Sequence, residues 1–203
     1  PLLESGSVTD KTGDKQPSSG IVGPLATGGP DGGGYVFADS DEPNGPAYDW
    51  EPIDATGTSV ALEDDQMSGA VSIGFSFEFY GEKYSDLFIC SNGFITFLPN
   101  QPCPWTSDTT PTGSTPNALI AAWWEDLNPE MGGTIHYETL GTAPNRYFIV
   151  QFTDVPHYYN RRPSTFQIKL FEGTNFIEAH YNDASDDNRA HSAGIEDQQG
   201  SQG

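Results

Sequence analysis

The chain has 203 residues, enough for one large all-β domain with a sizeable core. Its formal net charge of −21, from 8 Lys and Arg against 29 Asp and Glu, excludes a nucleic-acid binder and is repelled by anionic membranes. No apolar run is long enough for membrane insertion, and 23 Gly and 16 Pro favour short strands and tight turns over long helices. Three readings of the acidity stay open: solubility, a high-salt habitat, or clusters that hold divalent cations.

The N-terminus shows no signal peptide, and Pro1 is no initiator, so the chain reads as a processed or excised product. Residues 1–33 read as an arm or linker, and residues 34–203 as the domain. Gly13–Gly20 and Thr27–Gly34 are linker-like and enclose a short apolar patch, Ile21–Leu25. The arm is either a flexible linker or an extended segment that adds a strand to a neighbouring sheet.

From Tyr35 onward strands and turns alternate. Ile73, Phe75, Phe77 and Phe79 alternate with small or polar residues, so they share one buried face. Leu87–Cys90 and Phe94–Phe97 flank Ser91-Asn92-Gly93, a hairpin signal. Ala118–Trp124 is continuously apolar and reads as a central strand. Strands are also expected over 134–138, 147–152, 165–171 and 176–181. The pattern predicts an all-β, antiparallel β-sandwich (jelly-roll or Ig-like) of about ten strands with an extended N-terminal arm. Cys90 and Cys103 flank a Pro-rich loop. In an oxidising compartment they form a disulfide, and otherwise they are two free core thiols.

Several of these segments resemble nidogen-type (NIDO) extracellular domains, as found in bacterial secreted and cell-surface multi-domain proteins. The resemblance rests on Phe79-Tyr80-Gly81-Glu82-Lys83-Tyr84, Ser91–Phe97, Asn117–Asp126, Gly133–Tyr137, Val150–Tyr158 and Ala193–Asp197, in that order. It implies a disulfide-tolerant extracellular sandwich used in adhesion, matrix or surface assembly. It implies no catalytic residues. Related domains run past the Gly-Ile-Glu segment into one more strand, whereas this sequence stops at Gly203. A sheet lacking that strand has an open edge, which the apolar patch of the arm could cover.

Calcium needs six to eight oxygen ligands. Candidate ligands are Asp39, Asp41, Glu42 and Asp49 in one cluster, Asp64 and Asp65 in a second, with Asp183 and Asp186–Asn188 as a third. Solvated turns capped by Asx residues are the plainer account. His136, His157, His180 and His191 fit no metal spacing and read as surface or rim residues. Glu125-Asp126 is an acidic pair beside tryptophans, but the resemblance makes that position structural. Trp105, Trp123, Trp124, Tyr158 and Tyr159 offer stacking faces for a glycan, although core packing accounts for most of them. Tyr158, Tyr159, Arg161 and Arg162 form a candidate contact patch, with local pairing of the arginines to carboxylates as the alternative.

These residues predict a non-enzymatic, secreted or cell-surface interaction module, calcium-stabilised, with a protein, a glycan or a second copy as partner. The alternatives are a self-assembling subunit of an extracellular filament whose arm adds a strand to a neighbour, and a carbohydrate-binding accessory domain of a secreted hydrolase.

Overall fold

Alternation along the chain decides which side of each strand is covered. The structure is a computed structural model. It describes residues 27–43, 45–185 and 189–203, together with the strand course alone of residues 2–5. The expected linker Gly13–Gly20, the patch Ile21–Leu25 and the acidic residues 186–188 lie outside the described residues.

Among the described residues, thirteen strands form two sheets: β1 (Leu2–Ser5), β2 (Thr27–Gly28), β3 (Val36–Asp39), β4 (Thr58–Val60), β5 (Val71–Phe79), β6 (Glu82–Cys90), β7 (Phe94–Thr96), β8 (Leu119–Trp124), β9 (Thr134–Thr142), β10 (Asn145–Pro156), β11 (Pro163–Phe171), β12 (Ile177–Ala184) and β13 (Ser192–Glu196). The larger sheet runs β2-β3-β1-β12-β11-β10-β9-β4, and the smaller runs β13-β8-β7-β6-β5. Pairing is antiparallel except where β1 meets β3 and β12. The sandwich expected from the sequence is thus present. The strands beyond about ten are the short β1–β4, whose segments carry no alternation to mark them.

The core lies between the sheets. Every second residue of β5 is buried, from Val71 to Phe79. These residues meet Phe148, Val150 and Phe152 of β10 and Phe166, Ile168 and Leu170 of β11 in one cluster. Strand β8 is buried on both faces, which is why it reads as a continuous apolar run. Its Ile120 and Ala122 join the core. Leu119, Ala121 and Trp124 pack outside the smaller sheet against Phe94, Cys90 and Cys103. The disulfide Cys90–Cys103, with Cα atoms 5.5 Å apart, pins the loop after β7 over that face.

The larger sheet is covered outside as well. Residues 45–57 cross its outer face and satisfy the polar side chains that alternation turns away from the core. Lys169 Nζ donates to the Asp49 carbonyl, Gln167 Nε2 to the Glu51 carbonyl (2.6 Å), and Ile53 N to Gln151 Oε1 (3.1 Å). His180 lies under this segment, with Nε2 2.8 Å from Glu178 Oε2. His157 is buried too, 3.0 Å from Ser164 Oγ. The surface placement expected for these two histidines is therefore wrong: the earlier segment with Tyr48 and Asp49 covers His180, and His157 is enclosed in the turn after β10, where its N donates to the Arg162 carbonyl.

Strand β13 forms one edge of the smaller sheet. The β7–β8 loop covers it: Ser192 Oγ donates to the Asp108 carbonyl (2.7 Å) and Thr112 N to Glu196 Oε2 (2.9 Å). The first strand of the arm lies in the other sheet.

Candidate functional site

Five stretches of connecting chain meet at one end of the sandwich: 61–70, 97–118, 125–133, 157–162 and 189–191. The tight turn 91–93 organises their base. Gly93 has φ +84°, and a Cβ there would lie 1.9 Å from the Trp123 carbonyl, so only glycine fits. Asn92, fully buried in this turn, accepts from Leu127 N at 3.0 Å and donates to Asp65 Oδ1 at 2.8 Å. It thereby ties the 61–70 connection to the one after β8.

That link brings the carboxylates of Asp64, Asp65 and Asp126 together, with one oxygen from each within 4.8 Å of the others. Glu130 stands beside them, and its Oε2 accepts from Asp64 N at 3.4 Å. Asp64 Oδ1 is enclosed and receives no hydrogen bond. Burial, then the neighbouring Asp65 and Glu130 carboxylates, push the Asp64 carboxyl above its ordinary pKa. The donor set is all oxygen, which suits a hard cation such as calcium rather than zinc or copper.

Aromatic side chains wall the same cavity, which has a volume of about 220 Å³. Trp105, Tyr158 and Tyr159 are 48%, 41% and 51% exposed, unusual for large rings. Each is held from behind. The Trp124 indole donates to the Pro104 carbonyl at 3.1 Å, steadying the disulfide loop that carries Trp105. Tyr158 N donates to the Asp126 carbonyl at 2.8 Å, and the Tyr158 and Tyr159 rings meet edge-on at 5.2 Å. The Arg189 guanidinium lies 3.4 Å from the centre of the Tyr159 ring. A second cavity of about 270 Å³ continues past Trp105 to Glu125, Arg189 and Ala190.

The residues singled out from the sequence fall in four places. Asp64 and Asp65 share the cleft with Tyr158 and Tyr159. Arg161 and Arg162 are exposed in the adjoining turn, where Arg162 N donates to Asn160 Oδ1 at 2.9 Å. Asp39, Asp41 and Glu42 form a self-capped turn after β3, with Asp41 N donating to Asp39 Oδ1 at 3.0 Å. Asp49 lies on the outer face of the larger sheet, its Oδ2 3.7 Å from Lys169 Nζ. Sequence reading did not single out Asp126 as a ligand, nor Glu130, Asn92 or Arg189. The one signal for Asp126 was an acidic residue closing an apolar strand, which the resemblance marked as structural.

Two covered sheets, a disulfide and a loop-built cleft at one end define a β-sandwich binding domain. The sequence model of the NIDO-related family matches residues 35–203, and the chain belongs to that family. No solved structure matches the chain. The family is a non-catalytic, extracellular type of interaction module, and the disulfide is consistent with an oxidising compartment. Among the described residues, no helix is long and apolar enough to cross a membrane.

Proposed function

We propose that this domain is a secreted or cell-surface adhesion or matrix module that engages its partner at the end cleft, with calcium fixing the cleft's loops. The observation that carries this reading is the convergence of Asp64 and Asp65 from one connection with Asp126 from another, directly beside three exposed aromatic rings. Close carboxylates repel one another, and a divalent cation turns that repulsion into a cross-link between the connections. The rings then stand on a rigid base, which limits the ordering cost of binding.

Calcium titration by calorimetry tests the reading. One site is expected in the unaltered chain, and none in Asp64→Asn or Asp126→Asn. Equal heats in all three would place calcium elsewhere, with the Asp39–Glu42 turn the next place to test. Because Asp64 holds its proton unusually well, affinity should weaken as pH falls toward the carboxylate range.

A glycan is the second kind of partner the cleft accommodates. Trp105, Tyr158 and Tyr159 present faces on which a sugar ring can stack, and the adjoining cavity lengthens the groove. Trp105→Ala separates the two partners. It should abolish glycan binding, whereas a protein contact spread over Tyr158, Tyr159, Arg161 and Arg162 should survive in part.

A further inference from the structure

Strand β1 is an insertion. Leu2–Ser5 pairs in parallel with Val36–Asp39 on one side, and Leu3–Ser5 pairs in parallel with Ile177–Ala179 on the other. Parallel neighbours cannot be joined by a hairpin and need a long crossover. Here residues 6–26 and β2 intervene before β3. Without β1, two ladders are lost, and both β3 and β12 present bare edges toward one another. Behind that slot lies an apolar crevice of about 390 Å³ whose walls include Val36, Phe37, Ile120, Ala179, Tyr181 and Ile195. Bare strand edges are templates for another chain, so the slot calls for a filler.

The filler is tethered by a segment whose sequence, Gly6–Ala26, is rich in Gly, Ser and Pro and reads as a linker. At full extension such a segment reaches about 70 Å, far beyond the return to β3. The same four residues can therefore enter a neighbour's slot with the same register and the same backbone hydrogen bonds. The exchange changes no contact within the slot; only concentration decides between the two arrangements. A tether of that length and composition gives its own strand an effective concentration of about a millimolar, and a crowded surface or matrix reaches the same scale. Backbone pairing also suits a chain of net charge −21, whose copies repel at their surfaces.

We propose that residues 2–5 of one copy fill the slot between β3 and β12 of another, linking copies head to tail when they are crowded. Donor and acceptor are different surfaces, so the contact is heterologous and propagates into chains or closes into rings. The Asp64 cleft takes no part in it.

Register partners supply the test. Glu4 stands opposite Glu178 in the paired strands. Full-length Glu4→Cys and Glu178→Cys are unfolded, mixed, refolded together at about 1 mM, the scale of the tether's effective concentration, and oxidised. The expected product is a disulfide-linked heterodimer whose joined peptides contain positions 4 and 178, identified by mass spectrometry. A parallel mixture of Glu4→Cys with Glu82→Cys, an exposed position in the other sheet, should yield at least tenfold less. No heterodimer, or equal yields in the two mixtures, overturns the proposal. The double variant Glu4→Cys/Glu178→Cys shows which arrangement holds at high dilution. If it links only within one chain even at about 1 mM, the strand belongs to its own slot and the proposal fails.

Discussion

Glu196 is fully buried beside the C-terminal turn, and burial pushes its pKa up to about 7. The Thr112 N–H lowers it in part, while Asp197 and Asp108 raise it further. In the unfolded chain the group titrates near the ordinary glutamate value. Between those two pH values the folded state holds a proton that the unfolded state has released. The contribution of Glu196 is therefore fully present below the unfolded pKa and is lost as pH rises through about 7. Thermal melts at intervals from pH 5 to pH 8 should show this decline, and Glu196→Gln should flatten it. Asp197 behaves in the opposite sense. Burial opposes its ionisation, but the Ser201 N–H and hydroxyl and the Gln202 and Gln199 N–H groups outweigh that and hold its pKa below the usual range. Its contribution fades only as pH falls through that lowered pKa, so the two effects separate on the pH axis. At the cleft's base, Gly93→Ala drives a methyl group into the Trp123 carbonyl and should cost at least ~2 kcal/mol in a denaturant titration.

At the scale of elements, the two coverings of the sheets carry the next predictions. The disulfide closes a loop with a sequence separation of 13. Replacing Cys90 and Cys103 with Ala should cost about 3 kcal/mol and loosen the segment that carries Trp105. On the other face, Lys169 is buried and donates to the Asp49 carbonyl. Lys169→Met keeps the stem and removes the donor, leaving that carbonyl unmet at a cost of about 1–3 kcal/mol. Faster proteolysis within 45–57 than in the unaltered protein would confirm that this segment is what the lysine holds. The strands themselves were legible where alternation is strict, as in β5, or where an apolar run is buried on both faces, as in β8. The segment 45–57 was not, because it forms no regular element and meets the sheet through residues about a hundred positions away. His180 was misplaced for the same reason: a strand's period states which way a side chain points but not what covers it. The cleft was half legible. Asp64-Asp65 and Tyr158-Tyr159 stand out as local runs, whereas Asp126 joins them only through Asn92, a contact no spacing encodes.

Across the whole molecule the charge of −21 sets a background that must be told apart from any site. Raising ionic strength from about 0.01 M to 0.15 M shortens the screening length from about 30 Å to about 8 Å and should raise Tm in every variant. Calcium at a hundredfold excess over its Kd adds about 2.7 kcal/mol if one site is filled, or roughly 5–10 °C for a domain of this size. Asp64→Asn should keep the salt response and lose the calcium increment. An equal calcium increment in both proteins would show that the cation acts away from this cleft, by general screening or at another site.

The exposure of Trp105 has a practical consequence. Of the four tryptophans, Trp124 is sealed in the core and Trp50 and Trp123 are half-buried, while Trp105 stands open on the wall of the cleft beside three carboxylates. Indole emission shifts with the polarity and charge around the ring, so the solvent-exposed part of the protein's fluorescence originates at the proposed binding surface. The domain thus has a built-in optical reporter. A blue shift on adding a cation or a sugar, absent in Trp105→Phe, would register occupancy of the cleft without any label.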